Sequence, residues 1–231
     1  MPIKRMGNSI GHYVDAQIFS APAQPSYRAV DDLAQRYLPE HIKLSAGKVV
    51  SSGERKRAVP FVCIQSLAAG ADTGTHVLYS HGNAEDLGQI LKTLIGMSDE
   101  LRGATVWAYE YTGYAPGDNR KDSSEESVID DAMTIVRHVK SQRDCNSLVI
   151  YGRSMGCAPA IHMAGEAQPA ALVLESPFLT AISTVVGLAA ARTGFRAFDH
   201  FHNIDDIHTN VRCPLLILHG TDDRIVPHEH G

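Results

Sequence analysis

Cysteine is scarce in this sequence, with four residues in 231: Cys63, Cys145, Cys157 and Cys213. They have neither the paired spacing of a zinc site nor the framework of a secreted disulfide scaffold. They read as buried thiols in a reducing, cytoplasmic compartment. Long apolar runs are also missing. The longest, Ala181 to Ala191, is too short to cross a bilayer and is interrupted by Ser183, Thr184 and Gly187. The basic start is followed by no apolar stretch of the kind a secretory signal needs. Neither sign of charge dominates: 21 Lys and Arg against 26 Asp and Glu leave a net charge of −5. That balance gives no electrostatic reason to expect a nucleic-acid partner. His200 and His202, beside Asp199, lack a clear third ligand, so no metal is expected, and no cofactor either. What remains is a chain 44% hydrophobic, enough for the core of one large domain.

The most informative stretch is Leu148-Val149-Ile150-Tyr151-Gly152-Arg153-Ser154-Met155-Gly156. An apolar run ends in Gly-x-Ser-x-Gly, and small and apolar residues continue through Met163. This pattern predicts a buried strand, a very tight turn and a helix. Side chains at Gly152 or Gly156 would collide with the backbone that closes the turn. Ser154 then stands at the apex, facing the positive end of the helix, the arrangement of a nucleophile elbow.

Other segments fall into a strand–helix rhythm. Residues 1–46 read as an amino-terminal arm, partly disordered, with a short helix over Tyr27 to Leu38 before Pro39. Within it Gly7 would be an acceptor for myristate if translation began at Met6, although Gly11 stands where that motif wants Ser or Thr. A plain disordered start is the preferred reading. Gly47 to Ser51 and Pro60 to Ser66 read as strands joined by a solvated turn, Gly53 to Arg57. Thr75 to Ser80, Thr105 to Tyr111, Ala171 to Leu174 and Pro214 to Leu218 read as further strands. Helices are expected over Leu87 to Leu101 and Val128 to Val139, the latter starting near Ser123 and Ser124. Residues 178–210 break the rhythm and read as a small cap. The alternation predicts a mostly parallel sheet with helices on both faces, in which functional groups gather at the carboxyl ends of strands. His81-Gly82-Asn83, Glu110 to Gly113, Ser154, Glu175-Ser176 and Asp222-Asp223 all fall there.

A serine hydroxyl needs a base for its proton, and the base needs a carboxylate to orient it. In the alpha/beta-hydrolase fold these follow in the order Ser, Asp or Glu, His. Ser154 is the candidate nucleophile. His219-Gly220-Thr221-Asp222-Asp223 supplies the acid, and the His-Gly-x-x-Asp-x-x-Val spacing assigns it to Asp223, with Asp222 shaping the turn. The oxyanion hole falls to the backbone N–H groups of Met155 and Asn83, with His81 bracing the loop. After the acid, a helix and a strand of ordinary length would place the histidine about 25 residues on. Only His228 and His230 follow Asp223. The expectation is that this sequence stops short of the catalytic histidine and of the last strand and helix. His230 would serve only through an unusual local fold.

Tyr79-Ser80-His81-Gly82-Asn83-Ala84-Glu85-Asp86-Leu87-Gly88-Gln89 closely resembles the first signature of the alpha/beta-hydrolase-domain-17 proteins. Tyr109 to Gly113, Tyr151 to Gly156, Phe198 to Ile204 and Leu218 to Gly231 are similar in order and spacing, so the resemblance covers about residues 45–231. It implies an alpha/beta-hydrolase domain over 47–231 and a Ser–Asp–His triad using Ser154 and Asp223. It also implies removal of palmitate from protein thioesters, with acylated proteins as partners and peripheral contact with the cytosolic face of membranes. The sequence departs from that family where its histidine lies beyond Gly231, where its cysteine-rich lipidated start is absent, and at Ala115-Pro116. A general carboxylesterase and an inactive hydrolase-like binding module are the alternatives. A peptidase of this fold would normally bring a large extra domain.

Overall fold

The computed structural model describes residues 18–36, 38–51, 56–69, 73–181 and 200–230. Among these, seven strands form one sheet: β1 Ile42–Val50, β2 Ala58–Ser66, β3 Thr75–Ser80, β4 Thr105–Tyr109, β5 Ser147–Arg153, β6 Ala171–Glu175 and β7 Leu215–Leu218. Their order is β1-β2-β4-β3-β5-β6-β7. The β1–β2 hairpin and its junction with β4 are antiparallel, and every other pairing is parallel. Among the described residues five helices connect or flank the strands: α1 Val30–Ala34, α2 Leu87–Glu100, α3 Glu125–Lys140, α4 Cys157–Ala167 and α5 Asn203–Asn210. The expected alpha/beta-hydrolase architecture is therefore present.

The central strands β3 and β4 are buried on both faces, β5 and β6 alternate between buried and half-buried positions, and the side chains divide between two cores. Leu78, Trp107, Tyr109, Ile150 and Leu172 pack with α3 and α4, while Val77, Tyr79, Val106 and Ala108 pack with α1 and α2. The helices start where their sequences provide caps. Asp86 accepts from the Gln89 N–H at the head of α2, and Ser124 accepts from the Ser127 N–H at the head of α3. Pro159 lies in the first turn of α4, where a missing N–H breaks no helical bond.

Three local expectations are corrected. β1 begins at Ile42 rather than Gly47, because Ile42, Leu44 and Ala46 alternate with polar residues and pair with Ser66, Ile64 and Val62. The helix expected over Tyr27 to Leu38 shrinks to Val30–Ala34, since Tyr27 turns inward to a buried partner. Of the four free cysteines, only Cys157 is fully buried and the others are half-buried. The myristate acceptor Gly7, most of the Gly53 to Arg57 turn and the middle of the 178–210 cap lie outside the described residues. The last part of that cap region is α5, packed against α4. Among the described residues no helix is long and apolar enough to cross a membrane.

Candidate functional site

Ser154 sits where β5 gives way to a 3-10 turn, Ser154–Gly156, that leads directly into α4. Its φ of 51° lies in the left-handed region, a strain of about 1–2 kcal/mol for a residue with a side chain. The two glycines explain how the turn closes. A Cβ on Gly152 would lie 2.5 Å from the Gly156 carbonyl oxygen, and one on Gly156 would lie 2.1 Å from the Ser80 carbonyl oxygen. The elbow therefore presses against the end of β3 and lays Met155 beside the His81–Asn83 loop. Beneath it the Cys157 thiol donates toward the carbonyls of Gly152 and Glu175. Burial pushes that thiol well above its ordinary pKa.

The oxyanion loop is braced by groups from neighbouring strands. His81 is completely buried, with Nε2 3.0 Å from Glu110 Oε1 and Nδ1 2.9 Å from the Gly82 carbonyl oxygen. Burial alone would lower the His81 pKa, but the hydrogen bond and charge of Glu110 outweigh it and hold it raised. Two acceptors face the two ring nitrogens, which suits an imidazolium that donates to both. Because the peptide unit is planar, holding the Gly82 carbonyl also sets the direction of the Asn83 N–H. Tyr111 OH donates to the His81 carbonyl at 2.8 Å. Tyr114 OH donates to Asn83 Oδ1 at 2.7 Å and lies 3.6 Å from Met155 Sδ, bridging the two expected oxyanion residues. On the other side, Glu85 accepts from the Gly82 N–H and pairs with Arg153.

Asp223 reaches the same rim from the loop after β7. β6 pairs with β5 through Glu175 and Arg153, and with β7 through Glu175 and Leu218. Ser176 follows β6 with a φ of 49° and donates its hydroxyl to Asp223 Oδ2 at 2.8 Å. The other oxygen, Oδ1, accepts the N–H groups of Val226 and Ile225, each at 2.9 Å. The Val226 N–H leads the donors that hold this carboxyl below the usual carboxylate range, so it is ionised at neutral pH. Asp222 is exposed in the turn.

The structure thus brings Ser154, Met155, Asn83 and Asp223 to one end of the sheet. Among the described residues His230 is hydrogen-bonded to neither Ser154 nor Asp223. His230 is buried, and its Nδ1 accepts the Leu179 N–H at 3.3 Å, which puts the proton of the neutral ring on Nε2. Among the described residues no histidine is hydrogen-bonded to Ser154. His219 is spent elsewhere, with Nε2 on the Val226 carbonyl at 2.7 Å and 3.8 Å from Asp223. His200 pairs with Glu125 at 3.0 Å. Sequence reasoning marked Ser176 and Glu110 only as lying at strand ends, and missed the role of Tyr114, the pairing of Ser176 with Asp223 and the partners of Glu110. For Tyr114 and Ser176 the one signal was position, since each follows the end of a strand, whereas Tyr27 precedes the first strand and carried no such signal.

Residues 72–197 match the family described as "Serine aminopeptidase, S33". The alpha/beta hydrolase domain-containing protein aho-3 of Caenorhabditis elegans is 30% identical over 221 residues, covering 91% of this chain and 64% of that protein. Human alpha/beta hydrolase domain-containing protein 17B is 32% identical over 155 residues, covering 67% of this chain and 52% of that protein. The chain thus spans only part of the length of these relatives. Among solved structures, an esterase from Pyrococcus furiosus aligns with a TM-score of 0.65 at 17% identity, over 91% of this chain and 80% of its own. An alpha/beta serine hydrolase without lid from Xanthomonas campestris aligns at 0.55 and 16% identity, over 84% and 77%. At such identities the structural likeness is one of fold.

Proposed function

The chain belongs to the alpha/beta hydrolases of the serine aminopeptidase S33 family, and from that premise we propose that it is a serine hydrolase of acyl thioesters and esters. Its most fitting substrates are S-acylated proteins at the cytosolic face of membranes, by likeness to the domain-17 relatives. The observation that carries the reading is Ser154 on a left-handed turn, with Asn83 and Met155 bridged beside it by Tyr114.

In the proposed reaction Ser154 Oγ attacks the acyl carbonyl carbon while a base takes its proton. The oxygen that becomes negative is held by the N–H groups of Met155 and Asn83. The carbon–sulfur bond then breaks, the thiolate leaves with that proton, and the acyl group remains on Ser154. Water attacks the acyl–Ser154 ester by the same route, releasing a fatty acid and restoring the serine. Asp223 is already ionised and would orient the base and stabilise its charged form. Among the described residues no histidine occupies the base position, and this favours a second reading, a hydrolase-like module that binds without turnover.

A fluorophosphonate probe separates the two, because it bonds to a serine only where an oxyanion hole and an activating base operate. The expected result is labelling of Ser154 that accelerates when free imidazole is supplied as base, and no labelling of Ser154→Ala. If the unaltered chain stays unlabelled even with imidazole, the hydrolase reading is lost. Palmitoyl thioester, short-chain ester and aminopeptidase substrates, compared on the labelled protein, then rank the classes. Faster turnover of the peptide would overturn the thioester assignment.

A further inference from the structure

Residues 18–27 cross the rim that carries Ser154 and touch the oxyanion loop at both of its ends. Ile18, Phe19 and Ala21 are buried in the same cluster as Tyr111, Tyr114 and Met155. The Phe19 ring meets Phe201 edge-on, with centroids 5.9 Å apart. The Ser20 backbone N–H donates to Asn83 Oδ1 at 3.0 Å, sharing that oxygen with Tyr114. Arg120 anchors the Pro22 carbonyl. Ser26 donates its N–H to one oxygen of Asp86 at 2.6 Å and its hydroxyl to the other at 2.5 Å. Tyr27 OH donates to Glu110 Oε2 at 2.7 Å.

The two carboxylates that receive these bonds are completely buried. Among the described residues Glu110 has three donors, His81, the Leu87 N–H and Tyr27. Asp86 relies on Ser26 for two of its bonds and caps α2 with the third. A buried carboxylate that loses a donor without water to replace it is costly, so the loop around it would rearrange. The path from the strap to the site is short: Tyr27 holds Glu110, Glu110 holds His81, and His81 holds the Gly82 carbonyl whose peptide plane aims the Asn83 N–H.

We propose that this strap is a positioning element of the oxyanion hole. Ser20 acts through its backbone N–H on Asn83, and Tyr27 acts through Glu110 and His81. The proposal rests on the hydrolase reading for its effect on rate, while the mechanical link stands on the contacts alone.

The test compares the full chain with Ser20→Pro, which removes the N–H, Ser20→Ala, which keeps it, and Tyr27→Phe, which removes only a hydroxyl. Two quantities are read: the rate constant for fluorophosphonate labelling of Ser154 with imidazole present, and hydrogen–deuterium exchange of the amides of residues 82–89. Ser20→Pro and Tyr27→Phe are expected to slow labelling by about tenfold or more and to speed exchange in that loop. Ser20→Ala should match wild type in both. Unchanged exchange and labelling in Tyr27→Phe would overturn the proposal, as would an equal loss in Ser20→Ala and Ser20→Pro. Should Ser20→Pro fail to fold, Tyr27→Phe decides. A wild-type chain that never labels removes the hydrolase reading, and exchange in Tyr27→Phe still decides the strap.

Discussion

Asp131 is a buried carboxyl whose titration bears on the stability of the folded chain. It lies on α3 with its side chain inside, taking the Thr112 N–H on Oδ2 at 2.6 Å and the Thr112 hydroxyl on Oδ1 at 3.1 Å. Burial pushes its pKa up to about 7, against the pull of the Thr112 donors and the Arg57 charge. An unfolded aspartate titrates near 3.9. Below about pH 4 both states hold the proton and the stabilising contribution is complete. As pH rises toward 7 the unfolded chain releases its proton while the folded chain keeps it, so stability falls across that window. Asp223, held low, acts in the opposite sense only under more acidic conditions. Asp131→Asn can keep both contacts, its oxygen accepting from the Thr112 N–H and its amide donating to the hydroxyl. Urea unfolding at a series of pH values should show a shallower decline between pH 4 and 7 for this variant. A decline as steep as wild type would assign the effect to another group.

Helix α2 shows how an element's own sequence and its neighbours divide the work. Its head is fixed by Asp86, and its inner face by Leu87, Ile90, Leu91 and Leu94. Gly96 in its interior has no such reason to be glycine, since an added Cβ would meet nothing within 4 Å. Gly96→Ala is therefore expected to gain about 0.5–1 kcal/mol, read as a higher urea midpoint with unchanged slope. A loss would mean that the helix is constrained there in a way its contacts do not reveal. The same division accounts for what was legible in the sequence. Strands β3 to β7 announced themselves as apolar runs ending in small or polar residues, and the elbow by Gly152 and Gly156, whose absent side chains are required by backbone walls. β1 was read short because Lys43 and Ser45 dilute its apolar content, although the alternation was there. Glu110 was marked only as lying at a strand end. That it would be shared by His81 and Tyr27 depends on three segments far apart in sequence, and no local pattern encodes such a meeting. The pairing of Ser176 with Asp223 is of the same kind.

At the scale of the molecule, one edge of the sheet stands out. All four residues of β7 are exposed, with Leu216 at 52%, and this strand is the sheet's edge among the described residues. Leu216 and Leu218 continue into an open apolar groove with Val173, Tyr151, Met97 and Leu101. Unpaired backbone beside exposed leucine favours self-association through that edge. Leu216→Lys should reduce concentration-dependent light scattering of the chain while leaving Ser154 labelling unchanged. Equal scattering in both proteins would clear β7 of the role.

The strand order has a bearing on biosynthesis. The β1–β2 hairpin is complete in sequence once Ser66 has been added, yet β2 finds its other neighbour only in Thr105–Tyr109. Val62 and Ile64, fully enclosed in the finished protein, must wait on the ribosome for that stretch to emerge. Slow codons between Ser66 and Thr105 would lengthen the interval in which a nascent chain presents this hairpin to others like it, and chaperone capture would shield it meanwhile.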